Sequence, residues 1–527
     1  MRDFNTAGPV RPEEHYCIPA LDRVDLPEVL ALIRRRRYFI LHGPRQTGKT
    51  STLLALRDLL NGGSAGQYRC VHVNVEPGQS AREDVGQAMG AILDGLAKQL
   101  RRTLGDSETA ALAESMDTSV RSHSVLGRVL TSWSENGAAP AVLLIDEIDS
   151  LVGDTLISVL RQLRAGYSDR PGGFPQSVIL SGVRDVRDYR IRASSEKDLV
   201  AGGSAFNIKA KSLRLGDFDR DEVTTLLGQH TTATGQEFSP RAVATVWEQT
   251  RGQPWLVNAL AQEMCFEYVG KPLRIGRPVN VDDVFEARET LIRRRETHID
   301  QLADKLHEPR VRRVIEPMLS GGNASHADRD LEYVRDLGLV ALDSPLRIAN
   351  PIYTEVVPRQ LTSVLQDEIR QRAAWYVGRD GGLDMNRLLA AFQEFFRENS
   401  EHWIERAKYT EAGPQLVLQA FLHRVVNATG RIEREYALGS RRVDLLVVWP
   451  AGQGREDRFV VECKLLRGGR ARTLEKGLEQ TADYMDLSGT GVGHLVIFDM
   501  REGKSWEERI FREEHTHGGK RITVWGA

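Results

Sequence analysis

Two short stretches carry residue types at spacings that could do chemistry. The first, Gly43-Pro44-Arg45-Gln46-Thr47-Gly48-Lys49-Thr50-Ser51, sets two glycines, a lysine and a hydroxyl in the pattern G-x-x-x-x-G-K-[ST]. That spacing suits a phosphate chain. Backbone N–H groups of such a loop and of the helix after it surround the phosphates, Lys49 reaches the β- and γ-phosphates, and the Thr50 hydroxyl binds Mg²⁺. The second stretch, RFVVECKLL (458–466), is an apolar run interrupted by Glu462 and Lys464. Side chains two apart on a strand share a face, and burying such a pair is costly unless it is partnered or has a task.

Elements must hold these residues in place. YFILH before the loop reads as a strand and STLLALRDLL after it as a helix. A second apolar run, AVLLIDEIDSL (141–151), carries Asp146 and Glu147. An acid at such a strand end holds Mg²⁺ in P-loop ATPases, and a following glutamate can polarise the water that attacks the γ-phosphate. Between the two lies a further run, YRCVHVNVE (68–76). This arrangement resembles the additional-strand, catalytic-glutamate ATPases. The run SVILSG (177–182) ends near Arg184, where such folds place a phosphate sensor; Arg187 and Arg190 stand close, and a solvated arginine run is the other reading. From 219 to 269 the apolar spacing turns helical. There TRGQPW resembles the G-x-P segment of STAND and archaeal-type ATPases, which implies that Pro254, two after Gly252, faces the nucleotide.

The ECK strand has an upstream counterpart. ALGSRRVDLLVVW (437–449) carries Asp444, and PAGQGRED (450–457) supplies a turn before the strand returns. An antiparallel hairpin would set Asp444 beside Glu462 and Lys464. The constellation resembles PD-(D/E)XK nucleases, with Val443 where the name has proline. That resemblance implies Mg²⁺ on Asp444 and Glu462, with Lys464 stabilising the attacking water or the developing phosphate charge. GLEQTADYM places Gln480 and Tyr484 one helical turn apart, similar to the Q-x-x-x-Y helix of RecB-like nucleases. EAGPQLVLQAFLHRVV (411–426) fits the first helix of that fold, with Glu411 as an extra acid, and HLVIFD its last strand. Arginines at 431, 434, 441, 442, 467, 470 and 472, with Lys476, surround the motif as a phosphate-binding footprint. A surface salt bridge on an edge strand is the plainer reading of Glu462 and Lys464.

Size and composition set the frame. At 527 residues the chain exceeds one core. A net charge of −2 and 41% hydrophobic residues fit a globular protein. No apolar run approaches the ~20 residues of a membrane span, and the first residues lack the apolar stretch of a signal peptide. The four cysteines form no CxxC pair. The expectation is a cytoplasmic, multidomain α/β protein: a P-loop NTPase core with a parallel sheet (1–205), a helical lid (206–300), a winged-helix-like domain (301–360), a helical connector (361–405) and a restriction-endonuclease-like nuclease domain (406–527). The candidate recognition helix of the winged helix carries Asp328, Asp330, Glu332 and Asp336, an acidity that opposes phosphate binding and fits a spacer transmitting lid movement better than a DNA reader. Overall the chain resembles AAA-like or STAND-type ATPases fused to a nuclease. ATP and Mg²⁺ are the implied cofactors and DNA the implied partner, with oligomeric state open. The alternative is an ATP-driven switch whose nuclease fold only binds nucleic acid.

Overall fold

The computed structural model describes residues 2–527 apart from 63–66, 185–189, 193–198, 202–205, 269–270, 273–275, 295–296, 307, 320–327, 362–375, 379–380, 407–412, 427–430, 439–440, 452–454, 467, 500 and 502–503. It comprises two units. One spans Met1–His298 and Glu332–Asp343, the other Ile299–Leu331 and Ser344–Ala527.

The first unit is built on five strands: β1 (Tyr38–His42), β2 (Arg69–Asn74), β3 (Ala141–Asp146), β4 (Ser177–Gly182) and β5 (Lys209–Arg214). They lie in the order β2-β3-β4-β1-β5, all parallel. Every residue of β3 and β4 is buried, as expected of parallel strands covered on both faces. Alternation along the strands divides the core in two. Phe39, Leu41, Val142 and Leu144 pack with Leu53, Leu56 and Leu60 of helix α1 (Lys49–Asn61). Ile40, Leu143, Ile145 and Leu180 pack on the opposite side with α2 (Val85–Gln99), α3 (Val125–Glu135) and α4 (Gly153–Ala165).

Three helices follow β5: α5 (Arg220–Thr234), α6 (Pro240–Thr250) and α7 (Pro254–Cys265). Each has a side-chain cap at its start, from Asp219, Ser239 and Gln253. Such caps satisfy N–H groups that the helix leaves free. Between α6 and α7, Gly252 takes φ 79°, and a Cβ there would stand 1.8 Å from the Phe218 carbonyl oxygen. Its glycine is thus explained by backbone contact, since Phe218 N also donates to Gly252 O at 2.8 Å.

In the second unit, six strands form a mixed sheet: β6 (Arg431–Leu438), β7 (Arg441–Pro450), β8 (Glu456–Leu466), β9 (Gly493–Asp499), β10 (Arg512–His517) and β11 (Lys520–Gly526), in the order β6-β7-β8-β9-β11-β10. The β6–β7 and β7–β8 pairs are antiparallel, and β8–β9 is parallel. Helix α8 (Arg470–Ser488) makes that parallel crossover, and Leu478, Ala482 and Met485 cover the face bearing Leu446, Val460 and Leu495. A Cβ at Gly477 would meet the Leu495 side chain at 2.6 Å, so glycine lets helix and sheet close. The other face packs on Met385–Arg406 and Gly413–Val426, through Leu388, Phe392, Phe396, Leu418 and Phe421.

Some expectations take a different form. The segment expected as a connector contributes Leu388 and Phe392 to the second unit's core, and Gln393 Nε2 donates to Gly526 O at 2.6 Å. The hairpin expected at 339–350 is reduced to isolated bridge residues at Val340 and Ile348; Pro345 removes a ladder donor there. Beyond HLVIFD the sheet gains β10 and β11, joined through Gly518 and Gly519, both at positive φ.

Gly252→Ala is expected to cost about 2–4 kcal/mol, combining a strained φ with a backbone collision. Urea unfolding of the first unit measures it; an unchanged midpoint would mean that the contact with Phe218 yields freely.

Candidate functional site

The phosphate loop begins where β1 ends. A Cβ at Gly43 would lie 2.8 Å from the Leu215 carbonyl oxygen, so this glycine is fixed by the close passage of neighbouring backbone. Gln46 and Gly48 adopt positive φ, 57° and 96°, and Thr47 Oγ1 donates to Pro44 O at 2.9 Å. Helix α1 then starts at Gly48 with no side-chain cap. Its first N–H groups therefore face the loop unspent, which is the condition for binding an anion. Lys49 is buried, its Nζ donating to Gly43 O at 3.0 Å and Pro44 O at 2.8 Å. Burial lowers its pKa against the attraction of Glu147, Asp149 and Asp146. A bound polyanion would compensate that buried charge.

Asp146, at the end of β3, has no exposed surface. Its Oδ2 accepts from Thr50 Oγ1 at 2.7 Å and lies 3.2 Å from His72 Nε2, while its Oδ1 accepts from Glu147 N at 3.1 Å. Burial alone would raise its pKa; the hydrogen bonds from His72 and Thr50 outweigh burial and hold it below the ordinary value. Glu147 follows in the left-handed region, φ 56°, a conformation uncommon for a non-glycine residue and concentrated at functional sites. Burial raises its pKa, opposed by Lys49. The structure thus brings Lys49, Thr50, Asp146 and Glu147 together.

Other predicted residues lie around this centre. Ser51 Oγ accepts from Val10 N at 3.0 Å. The Arg45 charge reaches His298, whose pKa is pushed down to about 4, first by burial and then by that charge. His298 stacks on Trp255, with ring centroids 4.9 Å apart, beside the buried Pro254 that opens α7. Arg184 lies over the Tyr333 ring at 4.9 Å. Arg187 and the side chain of Arg190 fall outside the described residues.

Sequence reasoning missed four neighbours. Arg23 donates to Thr47 O and to Gly216 O, bracing the phosphate loop against the chain that enters α5. Arg214, on β5, donates to Asp336 Oδ1 at 2.9 Å and to Arg335 O at 2.9 Å. A Cβ at Gly338 would stand 2.8 Å from Pro44 Cγ, so the 332–343 segment lies against the loop. His72 is the fourth. A polar residue inside the buried run YRCVHVN was its only signal.

In the second unit, Asp444 Oδ2 accepts from Cys463 N at 2.8 Å. Lys464 Nζ contacts Glu462 Oε1 directly and donates to Cys463 O at 3.3 Å. The hairpin register that pairs Leu445 with Val461 carries Asp444 toward Glu462. Glu462 is 2% exposed and its Oε2 has no partner among the described residues; the same holds for Gln480 Oε1. Burial and the Asp444 charge raise the Glu462 pKa against the pull of Lys464. Glu411, Arg467 and the side chains of Arg431, Arg434, Arg441 and Arg442 lie outside the described residues. Of the remaining footprint, Arg470 is paired with Glu513 at 2.6 Å, whereas Arg472 and Lys476 are exposed on α8. Among the described residues no group of three or more His, Cys, Asp or Glu is arranged to hold a metal ion, so Asp444 and Glu462 stand as a two-carboxylate pair. No described helix is long and apolar enough to cross a membrane.

Residues 33–189 match the family described as "AAA domain". No curated protein matches the chain. Among solved structures it is similar to a Walker-type ATPase of Pyrococcus abyssi, with 15% identity, a TM-score of 0.46 and coverage of 67% of this chain and 99% of that one. It is also similar to RuvB of Thermotoga maritima, at 15% identity and TM-score 0.32 over 66% and 95% of the two chains. Drosophila ORC bound to DNA gives 12%, 0.33, 68% and 95%. These likenesses are too distant to carry argument about function. The family match and the phosphate loop together identify the part of the chain around 33–189 as an ATP-binding, AAA-type P-loop ATPase domain.

Proposed function

We propose that the chain is an ATPase whose nucleotide state controls a Mg²⁺-dependent nuclease in its second unit, with DNA as the substrate. The observation carrying the nuclease reading is the buried Glu462: one oxygen meets Lys464, the other has no partner among the described residues, and Asp444 stands beside it. A purely structural salt bridge needs neither the orphaned oxygen nor a second carboxylate. The order helix, hairpin, strand, crossover helix, parallel strand around the site supports a restriction-endonuclease-like fold. The role suggested is defence against foreign DNA or DNA maintenance. The second reading, a switch whose second unit only binds nucleic acid, is favoured by the lack of a three-ligand cluster among the described residues.

In the first unit, the loop 43–51 and α1 hold the triphosphate, and Lys49 leaves its two carbonyl partners for the β- and γ-phosphates. Thr50 and Asp146 would hold Mg²⁺, which supplies charge neutralisation between those phosphates when bound. Glu147 orients the attacking water, and Arg184 and Pro254 report the γ-phosphate to the lid. Because Arg184 faces Tyr333 and Arg214 holds Asp336, the 332–343 segment is the route by which that report leaves the site. In the second unit, Asp444 and Glu462 would hold Mg²⁺, with Glu411 as a further acid and Gln480 as a further polar side chain of the site. Lys464 places its charge beside the scissile phosphate.

Lys49→Ala is expected to abolish ATP hydrolysis. Glu147→Gln retains ATP binding and slows hydrolysis by about 10²–10⁴-fold. Normal turnover by Glu147→Gln would remove that residue from the mechanism.

Plasmid, linear duplex and single-stranded DNA, incubated with Mg²⁺ under ATP, ADP or neither, test the nuclease. Asp444→Ala and Glu462→Ala lose both Mg²⁺ binding and cleavage, while Lys464→Ala keeps the metal and loses about 10²–10³-fold in rate. ATP hydrolysis stays near the parent value in all three. DNA binding without cleavage in any nucleotide state favours the switch.

Glu462 also sets a pH dependence. Its pKa is pushed up from 4.5 to about 7, so between those values the folded state holds a proton that the unfolded chain has released. Stability of the second unit therefore falls as pH rises through that window. Glu462→Gln removes the slope, and Mg²⁺ reduces it in the parent. An identical slope in Glu462→Gln, read from denaturation midpoints at pH 5 and 8, assigns it to another group.

A further inference from the structure

We propose that His72 is a positioning residue for the divalent-cation side of the nucleotide site, acting through Asp146; the inference rests on the reading of Asp146 as the acid that holds Mg²⁺. Strand β2 alternates its side chains between two apolar faces. Cys70, two positions before His72, packs in the α1-side cluster with Leu53, Val142 and Leu144. His72 points to that same side and is only 7% exposed. An imidazole in such surroundings is costly unless its polar atoms are engaged. Its Nε2 lies 3.2 Å from Asp146 Oδ2, an interaction between neighbouring strands held in register by His72↔Leu144 and Asn74↔Asp146.

Thr50 and the Glu147 amide, which also donate to Asp146, differ from His72 in kind. Thr50 Oγ1 shares the same oxygen at 2.7 Å, but that hydroxyl must also turn its oxygen to a cation. The Glu147 amide reaches Oδ1 at 3.1 Å from a residue in the left-handed region, whose side chain serves the water. His72 is carried by the edge strand β2, held by its ladder to β3, and has no second duty in the site. Its place on the strand does not depend on the nucleotide, so it helps fix the plane of the Asp146 carboxylate before the cation arrives. Outer partners of this kind commonly contribute about 10–100-fold to metal affinity. The geometry requires Nε2 to carry the proton that is donated to the carboxylate.

The test uses the full chain and a fluorescent ATP analogue, titrated with Mg²⁺ and in EDTA. His72→Leu is expected to raise the Mg²⁺ concentration needed for tight nucleotide binding by about 10–100-fold and to leave affinity in EDTA within about twofold. His72→Gln, whose amide can reach the Nε2 position, returns the midpoint toward the parent. His72→Asn, whose shorter amide cannot, behaves as the leucine variant. A parent-like Mg²⁺ midpoint in His72→Leu overturns the proposal, as does an equal loss of affinity in EDTA, which marks a residue that only fills the core. Should His72→Leu fail to fold, equal midpoints for the Gln and Asn variants overturn it. Asp146→Asn separates the two levels. If it shifts the midpoint while the His72 variants do not, only the positioning role falls; if it shifts nothing, the reading of Asp146 falls with it.

Discussion

A carboxylate with no exposed surface, Asp146, must be held by donors brought from elsewhere in the chain, and much of the first unit's architecture follows from that need. Thr50 comes from the first turn of α1, His72 from the neighbouring strand and an amide from Glu147 itself. The three converge only if β2, β3 and α1 are in register, which the two apolar cores on either side of the sheet ensure. Hydrophobic burial thus does the folding, and the polar site uses the precision that the packing supplies. Removing one donor leaves the buried charge under-satisfied, a larger penalty than the net value of the lost bond.

The second unit meets the same problem with a different outcome. Glu462 is as deeply buried as Asp146, yet its hydrogen bonds are incomplete among the described residues, and its pKa moves up where that of Asp146 moves down. The contrast follows from the partners. Asp146 receives donors on both oxygens, while Glu462 has one ammonium and a second carboxylate nearby. A site left short of positive charge fits one completed by a cation, whereas the Asp146 site is already ordered before any ligand arrives.

What the sequence made legible divides along physical lines. The loop 43–51, the strands at 38–42, 141–146 and 177–182, and the ECK strand were readable because their signal is local: glycine spacing, apolar runs, and acids at strand ends. Gly518-Gly519 is equally local, a strong hairpin signal, and it marks the β10–β11 turn beyond HLVIFD. Arg23 and Gly216, 193 positions apart, are joined only by the fold. Nor could a residue such as His72 be assigned its partner without the cross-strand register. The helix at 385–406 reads as amphipathic, and nothing in that pattern says which core its apolar side enters.

The acidic helix Asp328–Asp336 illustrates how one sequence feature can carry a different meaning in three dimensions. Its charge argued against DNA, and the structure gives that charge specific tasks. Asp330 pairs with Arg313 at 2.8 Å, and Asp336 with Arg214 at 2.9 Å. The second pair is partly buried, with Arg335 O accepting from the same guanidinium, so it has more geometric definition than an exposed ion pair usually has. Arg214 ends β5, the strand beside the one that leads into the phosphate loop, and Gly338 lies against Pro44. A change in the loop therefore meets the segment at two points, one electrostatic and one steric. Either contact alone could slip; together they fix the segment's position relative to the loop.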